Sequence, residues 1–186
     1  MTGLRATLLV AAMTAVSLGA ERATAEERVC RGQIGARTVD NLRVPDGASC
    51  WLRGTKVKGT VKVESRATLR ADGVIVIGNV QGENARSVVV QDGSRIGGSV
   101  QVVQGGGATV ANSRVNGDIY YDDNNAPLRV VRNRVGGNVQ AFQNTGGVVI
   151  RGNTIDGNLQ CKANSPRPTG GGNIVGGNKE DQCARL

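Results

Sequence analysis

The 186-residue sequence contains no histidine. That absence removes every catalytic triad, metal site or acid–base scheme that needs imidazole. Aromatic residues are nearly absent too: Trp51, Tyr120, Tyr121 and Phe142 are the whole set. So sparse a set gives no stacking platform for single-stranded nucleic acid. There is no C-x-x-C pair, and without histidine a zinc site is a poor use of the four cysteines. No segment carries a helical period, and after residue 25 no apolar run approaches membrane-spanning length.

What is present falls into three parts. Residues 1–25 read as a secretory signal: Arg5 supplies the positive start, an apolar stretch runs from Leu8 to about Ala20, and Ala23-Thr24-Ala25 is a small-residue cleavage pattern. The mature chain is therefore expected to be exported, secreted or periplasmic, with no membrane span. Loss of Arg5, Glu21 and Arg22 lowers the formal charge of +8 by one, so a basic bias persists. Such a bias acts on long-range attraction to anions rather than on fold. Residues 26–55 are expected to form an N-terminal cap rung, and residues 56–186 a repeat array.

The array is announced by a recurring phrase: KVKGTV, VIGNV, RIGGSV, RVNGDI, RVGGNV, TIDGNL, IVGGNK. Its glycine falls at Gly59, Gly78, Gly98, Gly117, Gly137, Gly157 and Gly177, in steps of 19 or 20 residues. A fixed period of this size means a solenoid. Apolar residues flank the glycine two positions either side, as in Val57 and Val61 or Val135 and Val139. Alternation at period two, with β-branched residues, marks strands with one inward face. A second apolar stretch lies halfway round, as in Val88-Val89-Val90 and Val148-Val149-Ile150. Short strands cannot bury their faces alone, so the units must stack. The expected fold is all-β: one right-handed parallel β-helix of about seven rungs of 19–20 residues.

Polar positions repeat as well. The residue after the glycine is Thr60, Asn79, Ser99, Asp118, Asn138, Asn158 and Asn178, and Gly-Asn predicts a turn in which glycine takes positive φ. Ser94, Ser113, Asn133, Asn153 and Asn173 mark a second corner. Gln81, Gln101, Gln140 and Gln160, with Tyr120 as the middle member, predict an outward amide ladder. Cys30 and Cys50 lie 20 residues apart, and Cys161 and Cys183 lie 22 apart. One rung separates each pair, so the expected disulfides are Cys30–Cys50 and Cys161–Cys183. The segment from Asn164 to Gly172 is expected to replace the last rung's second strand with a loop.

The G-N-V and G-D-I rung phrases resemble those of bactofilins, bacterial polymer-forming cytoskeletal β-helices. The closing segment GNLQCKANSPRPTGGGNIVGGNKEDQC is similar to small exported bacterial β-helix proteins of uncharacterised function. The likeness covers most of the mature chain. It implies a right-handed β-helix and brings no catalytic residues. The signal and the four cysteines depart from bactofilins and speak against cytoplasmic filaments.

The residues that stand out for function form a basic stripe. Three positions before the glycine come Lys56, Arg95, Arg114 and Arg134, interrupted by Ile75 and ended by Thr154. Three arginines on consecutive rungs would stand about 5 Å apart, a spacing suited to the carboxylates or phosphates of a polymer. Arg129, Arg132 and Arg151 are expected nearby. The competing reading is a solvated face with local acid partners. A catalytic alternative rests on Asp118, Asp122 and Asp123 with Tyr120, Tyr121 and an approaching Arg132 or Arg134, in the manner of paired-carboxylate glycan cleavage. The expectation is a non-catalytic binding or scaffold module for an acidic glycan or another envelope polymer, with no cofactor, no metal and no nucleic acid. The alternatives are a carbohydrate-active β-helix enzyme (polysaccharide lyase or glycoside hydrolase) and a polymer-forming structural protein.

Overall fold

The computed structural model describes residues 26–186; the expected signal segment lies outside them. Among the described residues there is no helix, and every pairing of strands is parallel to its neighbour in the next coil. The strands form three sheets. Sheet A has nine strands, from Glu27–Val29 through Val80–Glu83, Val100–Val103, Ile119–Asp122 and Val139–Phe142 to Lys179–Asp181. Sheet B has eight, from Gly32–Ile34 through Ser87–Gln91 and Val148–Arg151 to Thr169–Gly171. Sheet C has eight two-residue strands, from Thr38–Val39 through Arg95–Ile96, Arg114–Val115 and Arg134–Val135 to Ile174–Val175. Each coil visits A, B and C in that order. The chain is thus a three-sided parallel β-solenoid.

The coil begins earlier than the sequence suggested. Glu27–Val29 already pairs with Asn41–Val44, and Gly32–Ile34 with Ser49–Arg53. Residues 26–55 therefore build the same three sheets as the rest, because Leu42, Val44, Cys50 and Leu52 supply the same inward alternation. At the other end, Thr169–Gly171 pairs with Val149–Arg151, so the second strand of the last coil is shortened rather than replaced by loop.

The core is a stack of aliphatic columns. Val61, Val80, Val100, Ile119, Val139 and Leu159 point inward from sheet A and are at most 1% exposed. Leu69, Val88, Ala108, Leu128 and Val148 point inward from sheet B, and Val57, Val76, Ile96, Val115, Val135 and Ile155 from sheet C, none more than 2% exposed. Tyr121 is the large exception in this column pattern. It lies in the core, its hydroxyl donates to the Arg129 carbonyl at 3.4 Å, and burial pushes its phenol far above the usual range.

The three corners are held by polar ladders. At the C-to-A corner the phrase glycine is needed for close approach, not for positive φ as the Gly-Asn pair suggested. A Cβ on Gly98 would sit 2.2 Å from Asn79 Oδ1 and 2.9 Å from the Gly78 carbonyl oxygen. The side chain after the glycine then accepts from the next coil: Ser99 N–H donates to Asn79 Oδ1 at 2.8 Å, and Asn158 N–H to Asn138 Oδ1 at 2.8 Å. Left-handed residues instead occupy the other two corners. Arg132 (φ 55°) and Gly152 (φ 66°) take them between B and C, and Asp123 (φ 54°) and Gln143 (φ 55°) between A and B.

A buried polar residue follows most of these turns in the later coils, where earlier coils have Ala67, Val74 or Ala85. Between B and C it is Ser94, Ser113, Asn133, Asn153 or Asn173, the expected second corner. Asn133 N–H donates to Asn153 Oδ1 at 2.9 Å, and Asn133 Nδ2 donates to the Val110 carbonyl at 2.8 Å. Between A and B it is Asn124, Asn144 or Asn164. These amides satisfy backbone groups that the turns leave inside.

Two disulfides tie the end coils to their neighbours. Cys30–Cys50 and Cys161–Cys183 have Cα–Cα separations of 5.6 and 5.2 Å, the pairing expected from their spacing.

Candidate anion-binding ridge

Sheet C presents two residues per strand, one inward and one outward. The inward partner, such as Ile96 or Val115, anchors the strand in the core, so the outward side chain has a fixed place on the ridge. In register, the outward column reads Thr38, Lys56, Ile75, Arg95, Arg114, Arg134, Thr154, Ile174. The three arginines therefore occupy adjacent parallel strands, separated by the inter-strand spacing of about 4.8 Å. Ile75 sets Lys56 apart from them by one coil, as the spacing required.

The arginines are solvent-facing and sparsely partnered. Among the described residues, Arg134 has one acid nearby, Asp156 at 3.7 Å, on a pair half or more exposed. Arg114 Nε donates to Asn116 Oδ1 at 3.1 Å, a bond that orients the guanidinium without neutralising it. The basic side chains with stronger acid partners lie elsewhere. Arg43 meets Glu27 and Glu64, and Arg70 meets Asp72; the hydrogen bond to Glu27, and that to Asp72, lead the upward shift of each guanidinium. Arg129 stands on the outer face of sheet B, Arg132 at the B-to-C corner and Arg151 at the end of a sheet B strand. None of the three extends the column of the ridge.

The carboxylates considered for catalysis do not assemble into a site. Asp118 Oδ1 accepts from Asn138 N–H at 2.6 Å and from Asn138 Nδ2 at 3.0 Å, so it is a corner cap. Asp122 accepts from the Tyr120 hydroxyl at 2.9 Å and from Gln143 Nε2 at 3.3 Å on the outside of sheet A. Asp123 is the exposed left-handed residue of the next turn. Tyr121 points into the core. Arg134 sits on sheet C and Arg132 at its edge, on another side of the solenoid from Asp122.

The outside of sheet A carries the amide ladder. Gln81 Nε2 donates to Gln101 Oε1 at 3.2 Å, Gln140 Nε2 to Gln160 Oε1 at 2.7 Å, and Gln160 Nε2 to Glu180 Oε2 at 2.7 Å. Tyr120 breaks the series, and its ring meets Phe142 edge-on, with centroids 6.0 Å apart. Burial, then the hydrogen bond and charge of Asp122, raise the Tyr120 phenol above its ordinary range. Two features escaped the sequence reading. The Tyr120–Phe142 pair was hidden because their columns differ by two positions. The Asn124, Asn144 and Asn164 ladder carried a visible signal, asparagine at strict 20-residue spacing seven places after the glycine. Compared with family models, curated proteins and solved structures, the chain matches none.

Proposed function

We propose that this protein is an exported, non-catalytic binding module that takes a linear acidic polysaccharide, or an envelope polymer of like charge, along the sheet C ridge. The observation that carries this reading is the column Arg95, Arg114, Arg134: three guanidiniums in register on adjacent strands, with one weak acid partner among them. Guanidinium forks suit carboxylates and sulfates that repeat along a chain. The backbone beneath them is held by parallel pairing and buried side chains, so little ordering is needed on binding. Two disulfides suit an oxidising compartment, consistent with a secreted or periplasmic location.

The test is retention on immobilised polygalacturonate across a salt gradient. The triple variant Arg95→Gln, Arg114→Gln, Arg134→Gln should elute at clearly lower salt than the parent. The control variant Arg70→Gln, on sheet B, should elute closer to the parent than the triple variant. Equal elution of parent and triple variant would remove the ridge from the account.

A further inference from the structure

The amide ladder on sheet A has a gap, and the gap has chemical consequences. Within the ladder Gln81 Nε2 donates to Gln101 Oε1 and Gln140 Nε2 to Gln160 Oε1, in each case one coil on. Gln101 Nε2 would need an amide oxygen at position 120, but Tyr120 stands there. Gln140 Oε1 would accept from an amide at the same position. Among the described residues the tyrosine therefore leaves an unmatched donor on one side and an unmatched acceptor on the other, two coils or roughly 10 Å apart. Its own hydroxyl is turned aside along the strand to Asp122.

Two grooves meet at this ring. One, of about 560 Å³, runs over Gln81 and Gln101, is walled by Glu64 and Glu83, and ends at Tyr120. The other, of about 430 Å³, starts at Tyr120 and continues past Phe142 to Lys162. Two of the chain's four aromatic residues thus share one outer face, where core packing does not require them. A donor, an acceptor and an apolar ring between them match a pyranose: its hydroxyls both give and take hydrogen bonds, and its C–H face packs on an aromatic ring. The first groove is lined by three carboxylates, Asp46, Glu64 and Glu83, against one cation, Lys62, which pairs with Glu64 at 3.8 Å; the acidic excess opposes phosphate, sulfate or uronate. We infer that the Tyr120 gap on sheet A is a binding site for a neutral, hydroxyl-rich oligosaccharide, separate from the sheet C ridge.

The ladder itself supplies the decisive variant. Tyr120→Gln gives position 120 the residue found at 81, 101, 140 and 160, so it closes the gap and removes the ring on a compatible backbone. Titration calorimetry of the full chain against cellohexaose, chitohexaose and xylohexaose reads the outcome. The parent should bind at least one of the three. Tyr120→Gln should weaken that binding roughly tenfold or more, an effect of the size expected for one lost ring platform. Tyr120→Phe should stay within about threefold, since the hydroxyl serves Asp122. The triple arginine variant should bind these neutral sugars as the parent does, while Tyr120→Gln should keep parental retention on polygalacturonate. A parent that binds none of the three, or a Tyr120→Gln protein with parental melting temperature and parental affinity, overturns the assignment. So does a parent that binds polygalacturonate through the Tyr120 face and no neutral chain.

Discussion

Asn144 offers the sharpest test of how the corners are held. Its Oδ1 accepts from the Asn124 backbone N–H at 3.0 Å and from Asn124 Nδ2 at 3.0 Å. Its Nδ2 donates to the Tyr121 carbonyl at 3.2 Å and to Asn164 Oδ1 at 2.9 Å. The residue is 0% exposed, and Asn124 and Asn164 are at most 4% exposed. Asn144→Ala strands two buried donors on Asn124, each costing about 1–3 kcal/mol when no water can reach it. The expected loss is therefore about 2–6 kcal/mol, before any cavity contribution. Gln140→Ala is the matched control. It removes one amide bond of comparable length from the outer face, to Gln160, where water replaces it, and should cost under about 1 kcal/mol. Guanidinium unfolding followed by far-UV circular dichroism, with both disulfides intact, gives the two values. A difference below about 0.5 kcal/mol between the variants would refute the claim that the interior amides are obligatory acceptors.

Further outcomes follow from the same geometry. Val139→Asp, like Val100→Asp, puts an unpaired charge in a column at most 1% exposed; the loss should exceed about 4 kcal/mol, and a native-like melting curve for either would contradict the inward face. Gly98→Ala forces a Cβ against Asn79 Oδ1 and the Gly78 carbonyl, so the melting temperature should fall by several degrees, whereas Gly93→Ala meets no atom within 4 Å and is strained only by its φ of 79°. Tyr121 has its folded pKa raised above the unfolded value of about 10, so its contribution is fully present below about pH 10 and is lost as pH rises beyond it. Stability should fall by an extra ~1.4 kcal/mol per pH unit there, and Tyr121→Phe should abolish that extra slope in alkaline denaturation curves.

The solenoid was legible because its determinants are periodic. Val57, Val76, Ile96, Val115, Val135 and Ile155 recur at one phase of a repeat of about 20 residues, and only a stacked coil makes that phase a single buried column. The disulfides followed from the same arithmetic. The basic column was legible too, since Arg95, Arg114 and Arg134 hold one phase. Other features were not read because they depend on contacts between coils. Gly98 looks like a turn glycine in one dimension, yet its constraint is the Asn79 side chain of the coil below. The first coil was obscured because residues 26–55 lack the glycine phrase while keeping the alternation of Leu42 and Val44. The place of Tyr120 in the glutamine column was legible, but its contact with Phe142 was not, since that residue stands two positions on in the next coil.

The interior asparagine ladders have a direction. Asn124 N–H donates to Asn144, Asn144 N–H to Asn164, and Asn164 N–H at 2.9 Å to Gln182 Oε1, whose Nε2 returns a bond to the Asn164 carbonyl. In a chain made from its N-terminus, each of these asparagine corners therefore keeps an unmet donor until the storey above delivers its oxygen. Gln182, one methylene longer than the asparagines it succeeds, reaches back to supply the oxygen that Asn164 needs. Trimming the last few residues would thus unlatch the roof and leave the topmost donors of the tower seeking water.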